Sequence, residues 1–163
     1  MRRLMLCLAL ATAPAAAEPE TYLGVVLGSR HFGGTGFNDV NPGLTWGRRW
    51  PVGAGRWERH VEAGVFYNSY REVSPITVAG LSTGVARVGP GEVRVGLSVG
   101  TAYYEDLSRQ LERDYGVPNV AGFIPIGLAT VTYRLDRAEW RLSLLPVQDD
   151  VDAVVNLSVA VPF

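Results

Sequence analysis

The chain has 163 residues with 15 basic and 16 acidic side chains, every base an arginine, and 47% of its residues are apolar. A formal charge of −1 with no polybasic run excludes the electrostatic footprint of a nucleic-acid binder. The single cysteine, Cys7, lies in the N-terminal leader, which excludes disulfides, CxxC redox chemistry and thiolate metal sites from a mature chain.

Residues 1–17 join basic Arg2 and Arg3 to an apolar stretch, 4–11, and the small-residue site Ala15-Ala16-Ala17, the layout of a cleaved secretory signal peptide. The remainder, 18–163, holds 13 bases against 16 acids and has the length of one domain. No later run approaches the roughly 18 consecutive apolar residues of a membrane helix. The choice is therefore between a soluble sandwich and a membrane barrel, and pattern decides it.

Period-two alternation predicts strands at 21–30, 43–50, 57–67, 76–87, 92–104, 121–133, 138–146 and 153–163. The fifth is the clearest: Val93, Val95, Leu97, Val99, Thr101 and Tyr103 alternate with Arg94, Gly96, Ser98, Gly100 and Ala102, long enough to cross a bilayer. The eighth repeats it with Val155, Leu157, Val159, Val161 and a terminal Phe163 in phase, as at the C-terminus of outer-membrane barrels. Connections alternate between tight (51–56, 88–91, 134–137) and long (30–41, 68–75, 105–120, 147–152), matching short periplasmic turns and longer outer loops. The expected fold is all-β, an eight-stranded antiparallel up-and-down transmembrane β-barrel with both termini periplasmic. Aromatic residues at the strand ends form two girdles, with Tyr22, Trp50, Trp57, Tyr133, Trp140 and Phe163 on the periplasmic side. Phe32, Tyr67, Tyr70, Tyr103 and Tyr104 make the outer one.

The inward phase carries His60, Glu62, Glu92, Arg94, Arg141, Ser143, Asn156 and Ser158 toward the periplasm, a set that must pair internally because so narrow a lumen is filled by side chains. Toward the outside it is read as Gly64, Gly80, Ser82, Gly84, Gly100 and Gly127, with Phe66, Ile76, Val78, Phe123 and Pro125 among them. That half has room for an apolar ligand.

No P-loop, GxSxG elbow or HExxH stretch occurs, and two histidines without a mature cysteine make no ordinary zinc site, so neither metal nor cofactor is expected. What remains is a polar group at the outer rim: His31 after the first strand, Asn38, Asp39 and Asn41 before Pro42-Gly43, and Asn68-Ser69 closing the third strand. These features resemble the outer-membrane lipid A palmitoyltransferases. The family's histidine and following polar segment look like His31 and Phe37-Asn38-Asp39. Its Asp-Ser pair before a Pro-Ile strand start looks like Asn68-Ser69 before Pro75-Ile76, and its later prolines look like Pro125 and Pro146.

The resemblance implies transfer of an acyl chain from a membrane phospholipid to lipid A, with His31 as base, Ser69 as hydroxyl and position 68 as third member. Gly80 would be the lumen floor, and Pro125 and Pro146 would mark a lateral lipid entrance where proline interrupts strand pairing. Where the family has aspartate this chain has Asn68, so Asp39 or Glu72 would have to supply the charge that stabilises an imidazolium. The C-terminal strand implies contact with the outer-membrane assembly machinery, and the barrel is expected to be a monomer. A non-enzymatic barrel of the structural or adhesion type stays open. A lipid A deacylase fits less well, because no histidine follows His60.

Overall fold

In the computed structural model, which describes residues 18–33, 36–53, 56–146 and 153–163, strands close on themselves. The strands are β1 (Glu20–Phe32), β2 (Gly43–Val52), β3 (Trp57–Tyr67), β4 (Val73–Val88), β5 (Gly91–Tyr103), β6 (Phe123–Leu135), β7 (Ala138–Pro146) and β8 (Ala153–Pro162). One helix, α1 (Glu105–Tyr115), lies between β5 and β6. Each strand pairs antiparallel with its neighbours in sequence and β1 pairs with β8, so the barrel has no free edge. The predicted bounds of β3 and β7 hold to the residue, and the others move by one to three positions. The predicted signal peptide lies outside the described residues.

The outward phase is apolar. Leu23, Val25, Leu44, Val61, Leu81, Val95, Val131, Leu142 and Leu157 are all exposed, and Leu97 and Val99 are 69% and 70% accessible. A belt of this kind around a closed sheet is stable only against lipid, since in water it would be an aggregation surface. No described helix is long and apolar enough to cross a membrane; the crossing is made by strands. The protein is a small outer-membrane β-barrel.

Three sequence expectations need correction. In β6 the phase is reversed: Ile124 pairs with inward Ala102, and cross-strand partners share a face, so Ile124, Ile126 and Leu128 point inward. Phe123, Pro125 and Gly127 are exposed on the outer surface. Second, Tyr22 is not in the girdle but inside the barrel, 1% exposed. Tyr104 is likewise inside the mouth rather than on the belt. Third, the long connection after β5 is helical. Glu105 and Asp106 occupy its first turn, where carboxylates favour the positive end of the helix dipole. Gly116, with φ 65°, ends it: its N–H and that of Val117 donate to Glu112 and Leu111 carbonyls, a left-handed cap that glycine adopts without strain.

Candidate functional site

The interior divides into an ionic plug and an apolar lumen. At the periplasmic end Arg141 donates to Glu62 and Glu139 at 2.9 Å each, and Arg134 to Glu58 and Glu139. Arg49 pairs with Glu20 and Glu139, and Arg94 with Glu58 and Glu92. Tyr22 donates to Glu62 at 2.8 Å and lies with its ring 4.5 Å from the Arg141 guanidinium. Of the predicted plug, Glu62, Glu92, Arg94 and Arg141 are paired in this network, whereas Ser143 bonds Thr130 and Asn156 donates to the Gly28 carbonyl on the outer part of β1. His60 joins the network only at its upper edge, where its Nε2 is 3.0 Å from Ser98 Oγ.

A cavity of about 560 Å³, within the roughly 300–1,000 Å³ of small-molecule sites, runs from the plug, where Arg49, Glu62 and Arg141 line it, to the outer mouth. Its outer half has apolar walls, with Val26, Phe66, Ile76, Val78, Ile124 and Leu128, interspersed with polar Thr45, Ser98 and Asn156. Leu107 and Leu111, one turn apart on α1, close over the top. Gly80 is inward as predicted, at the level of the His60–Ser98 pair. A Cβ there would meet the Leu97 carbonyl oxygen, and would come within 2.8 Å of His60 Cε1, so close packing already accounts for glycine.

Among the described residues the β6–β7 ladder begins only at Ala129–Leu144, a gap in the described pairing beside residues 123–128. Pro125 and Pro146 stand at this gap, and both reach the cavity although both are exposed outside. A residue without an N–H leaves no unpaired donor facing lipid. A second interruption lies between β1 and β2, whose ladder ends at Val26–Gly43.

That second gap holds the rim cluster. The β1–β8 register shifts between Val26 and Gly28, and this bulge turns the phase of the outer strand end, placing Ser29 and His31 inward. Without it His31 would face lipid. His31 Nδ1 is 3.1 Å from Asp39 Oδ1, and its ring stacks on Phe37 with centroids 4.7 Å apart. Arg30 donates to the other Asp39 oxygen at 3.0 Å. The hydrogen bond from His31, helped by the nearby Arg30 charge, holds the Asp39 carboxyl below the usual carboxylate range. His31 Nε2 has no hydrogen-bond partner among the described residues. The imidazole therefore has a carboxylate behind it and a free nitrogen at the mouth, the arrangement of a general base.

Buried Asn41 fixes this loop, bonding Ser29 Oγ and donating to the Tyr67 carbonyl at 3.0 Å. Asn38 N–H donates to the Ser69 carbonyl at 3.2 Å, which brings the loops of His31 and Ser69 together. Both side chains line the same cavity, with no hydrogen bond between them. Asn68 does not face the histidine. It is fully buried, accepts from the Tyr70 and Glu72 N–H groups, and donates to Ser74 Oγ at 2.8 Å, so its amide holds the turn between β3 and β4. The carboxylate beside His31 is Asp39.

Sequence reasoning had named Asp39 only as a possible source of charge, and had missed the structural part of Asn41 and the helical cap. The helix was visible in the Leu107–Leu111 spacing before Gly116. The β1 bulge had no sequence signal.

No family model matches the chain, and neither does any curated protein. Among solved structures, the outer membrane protein Ail of Yersinia pestis in a phospholipid bilayer nanodisc is similar at a TM-score of 0.46 and 9% identity. The match covers 90% of this chain and all of that one.

Proposed function

We propose that the barrel binds a phospholipid acyl chain in its lumen and transfers that acyl group to the hydroxyl of a second envelope lipid, lipid A being the leading acceptor. One observation carries this reading: the His31–Asp39 pair sits at the mouth of a cavity whose outer half is largely apolar, beside a stretch of β6 that is unpaired with β7 among the described residues. A chain entering by Pro125 and Pro146 passes from bilayer hydrocarbon into the apolar part of the lumen without its methylenes meeting water, and its ester remains at the mouth. His31 Nε2 then takes the proton of the acceptor hydroxyl, whose oxygen attacks the ester carbonyl and forms the new ester bond. The glycerol oxygen leaves and takes the proton back from the imidazolium, so the second product is a lysophospholipid. Asp39 stabilises the imidazolium in between. Ser69 is placed to hold a substrate oxygen at the mouth.

Mass spectrometry of lipid A from cells with and without the protein tests the proposal. A mass increment of one acyl chain, lost in His31→Ala and Ser69→Ala while the variants still assemble, is the expected result. Identical lipid A in all strains would leave a non-enzymatic barrel. That reading has its own support in the absence of a His31–Ser69 hydrogen bond and in the use of Asn68 to hold a turn.

A further inference from the structure

Every strand carboxylate faces the plug: Glu20, Glu58, Glu62, Glu92 and Glu139 all pair with interior arginines. The outward phase of the strands near the periplasmic end holds the opposite charge alone. Arg48 on β2 and Arg59 on β3 flank Trp50, their guanidinium carbons 5.9 and 5.6 Å from the centre of its ring. Trp50 and Arg59 are direct cross-strand partners, and Arg48 shares their face two residues along the strand. Among the described residues neither arginine has a carboxylate or a hydrogen-bond acceptor, and Arg48 Nε is shut off from solvent without a partner.

Two cations on one aromatic ring repel each other, and the effective dielectric at a membrane surface screens them less than water does. The indole face offsets part of that cost. The remainder calls for an anion, and its place on the outer wall, between the apolar belt and the periplasmic turns, is the level of lipid headgroups. Guanidinium forks match phosphate oxygens in pairs.

We propose that Arg48, Trp50 and Arg59 form a binding site for the phosphate of an anionic phospholipid in the periplasmic leaflet. The site lies at the opposite end of the barrel from His31 and is independent of the acyl-transfer reading. It anchors the barrel at a fixed depth and retains a lipid shell on the β2–β3 face.

Native mass spectrometry of the detergent-solubilised protein with added phosphatidylglycerol or phosphatidylcholine tests this. The wild type is expected to retain phosphatidylglycerol preferentially, and the Arg48→Gln/Arg59→Gln double variant to lose that preference by about thirtyfold, from the removal of two surface arginines. Arg30→Gln, at the outer rim, is expected to keep it. Heat-modifiable gel migration verifies assembly, and if the double variant fails to assemble, Arg59→Gln alone carries the test with a smaller loss. An unchanged preference in an assembled variant overturns the proposal. So does displacement of the lipid by millimolar inorganic phosphate, which would mark a site for the free ion.

Discussion

In the periplasmic half of the barrel four arginines and five glutamates fill the interior, whereas the outer half is walled by aliphatic side chains around open space. The lipid-facing belt is apolar in both, with Arg48 and Arg59 at its periplasmic edge. The exterior thus states only where the protein lives, and the interior decides what it can do. Charges in the plug neutralise one another across strands distant in sequence, as Arg141 does with Glu62. The outer half forgoes close packing and gains room for a chain, its aliphatic walls interspersed with Thr45, Ser98 and Asn156.

The sharpest way to break the comparison is to unbalance the plug. Glu139 pairs with Arg49, Arg134 and Arg141, so Glu139→Gln takes one buried carboxylate partner from each of three arginines and should cost about 3–5 kcal/mol in urea unfolding of the reconstituted protein. A loss under about 1 kcal/mol would mean that the plug does not act as one network. Next comes the wall itself. Leu97→Arg on the lipid face should cost roughly 2–4 kcal/mol near mid-membrane, while its inward neighbour Ser98→Ala loses a single bond to His60 and should cost about 1 kcal/mol. Equal costs would refute the inside–outside assignment.

A smaller effect separates lumen from core. Ile124→Ala should fall below the roughly 2–5 kcal/mol of a close-packed truncation, because part of its side chain already borders open cavity. A full-sized loss would show that the cavity is filled by side chains in the membrane. The smallest effect is at the rim. The Asp39 carboxyl is held low in the folded state, so it contributes stability above the ordinary carboxyl pKa, and that contribution is lost as pH falls through the lower folded value. The exposed site is screened by solvent, so an NMR titration of the Asp39 carboxyl is the proper check, and an ordinary titration midpoint would remove the His31–Asp39 bond.

Most of the fold was legible because lipid outside and a narrow lumen inside impose strict alternation, which the fifth and eighth strands display in full. β6 was misread because Phe123 to Leu128 is apolar on both faces, so alternation carries no phase there, and only pairing with Ala102 fixes it. Of the proposed site, His31, Ser69, Pro125 and Pro146 were named from spacing and resemblance, and all four line the cavity. The carboxylate partner was left undecided between Asp39 and Glu72, since loop conformation settles which one reaches the ring.

The sequence by itself determined the strand number, the alternation of short and long connections, the lipid-facing belt and the presence of a polar interior, for each follows from local period and composition. Tertiary structure alone decided which charges meet, which way His31 points and where the described pairing of β6 with β7 begins. Those outcomes depend on barrel closure: the register between β1 and β8 sets the bulge that turns His31 inward, and the β6–β7 ladder of the described residues starts only at Ala129–Leu144. Register is a relation between strands, and a single strand's residues do not contain it.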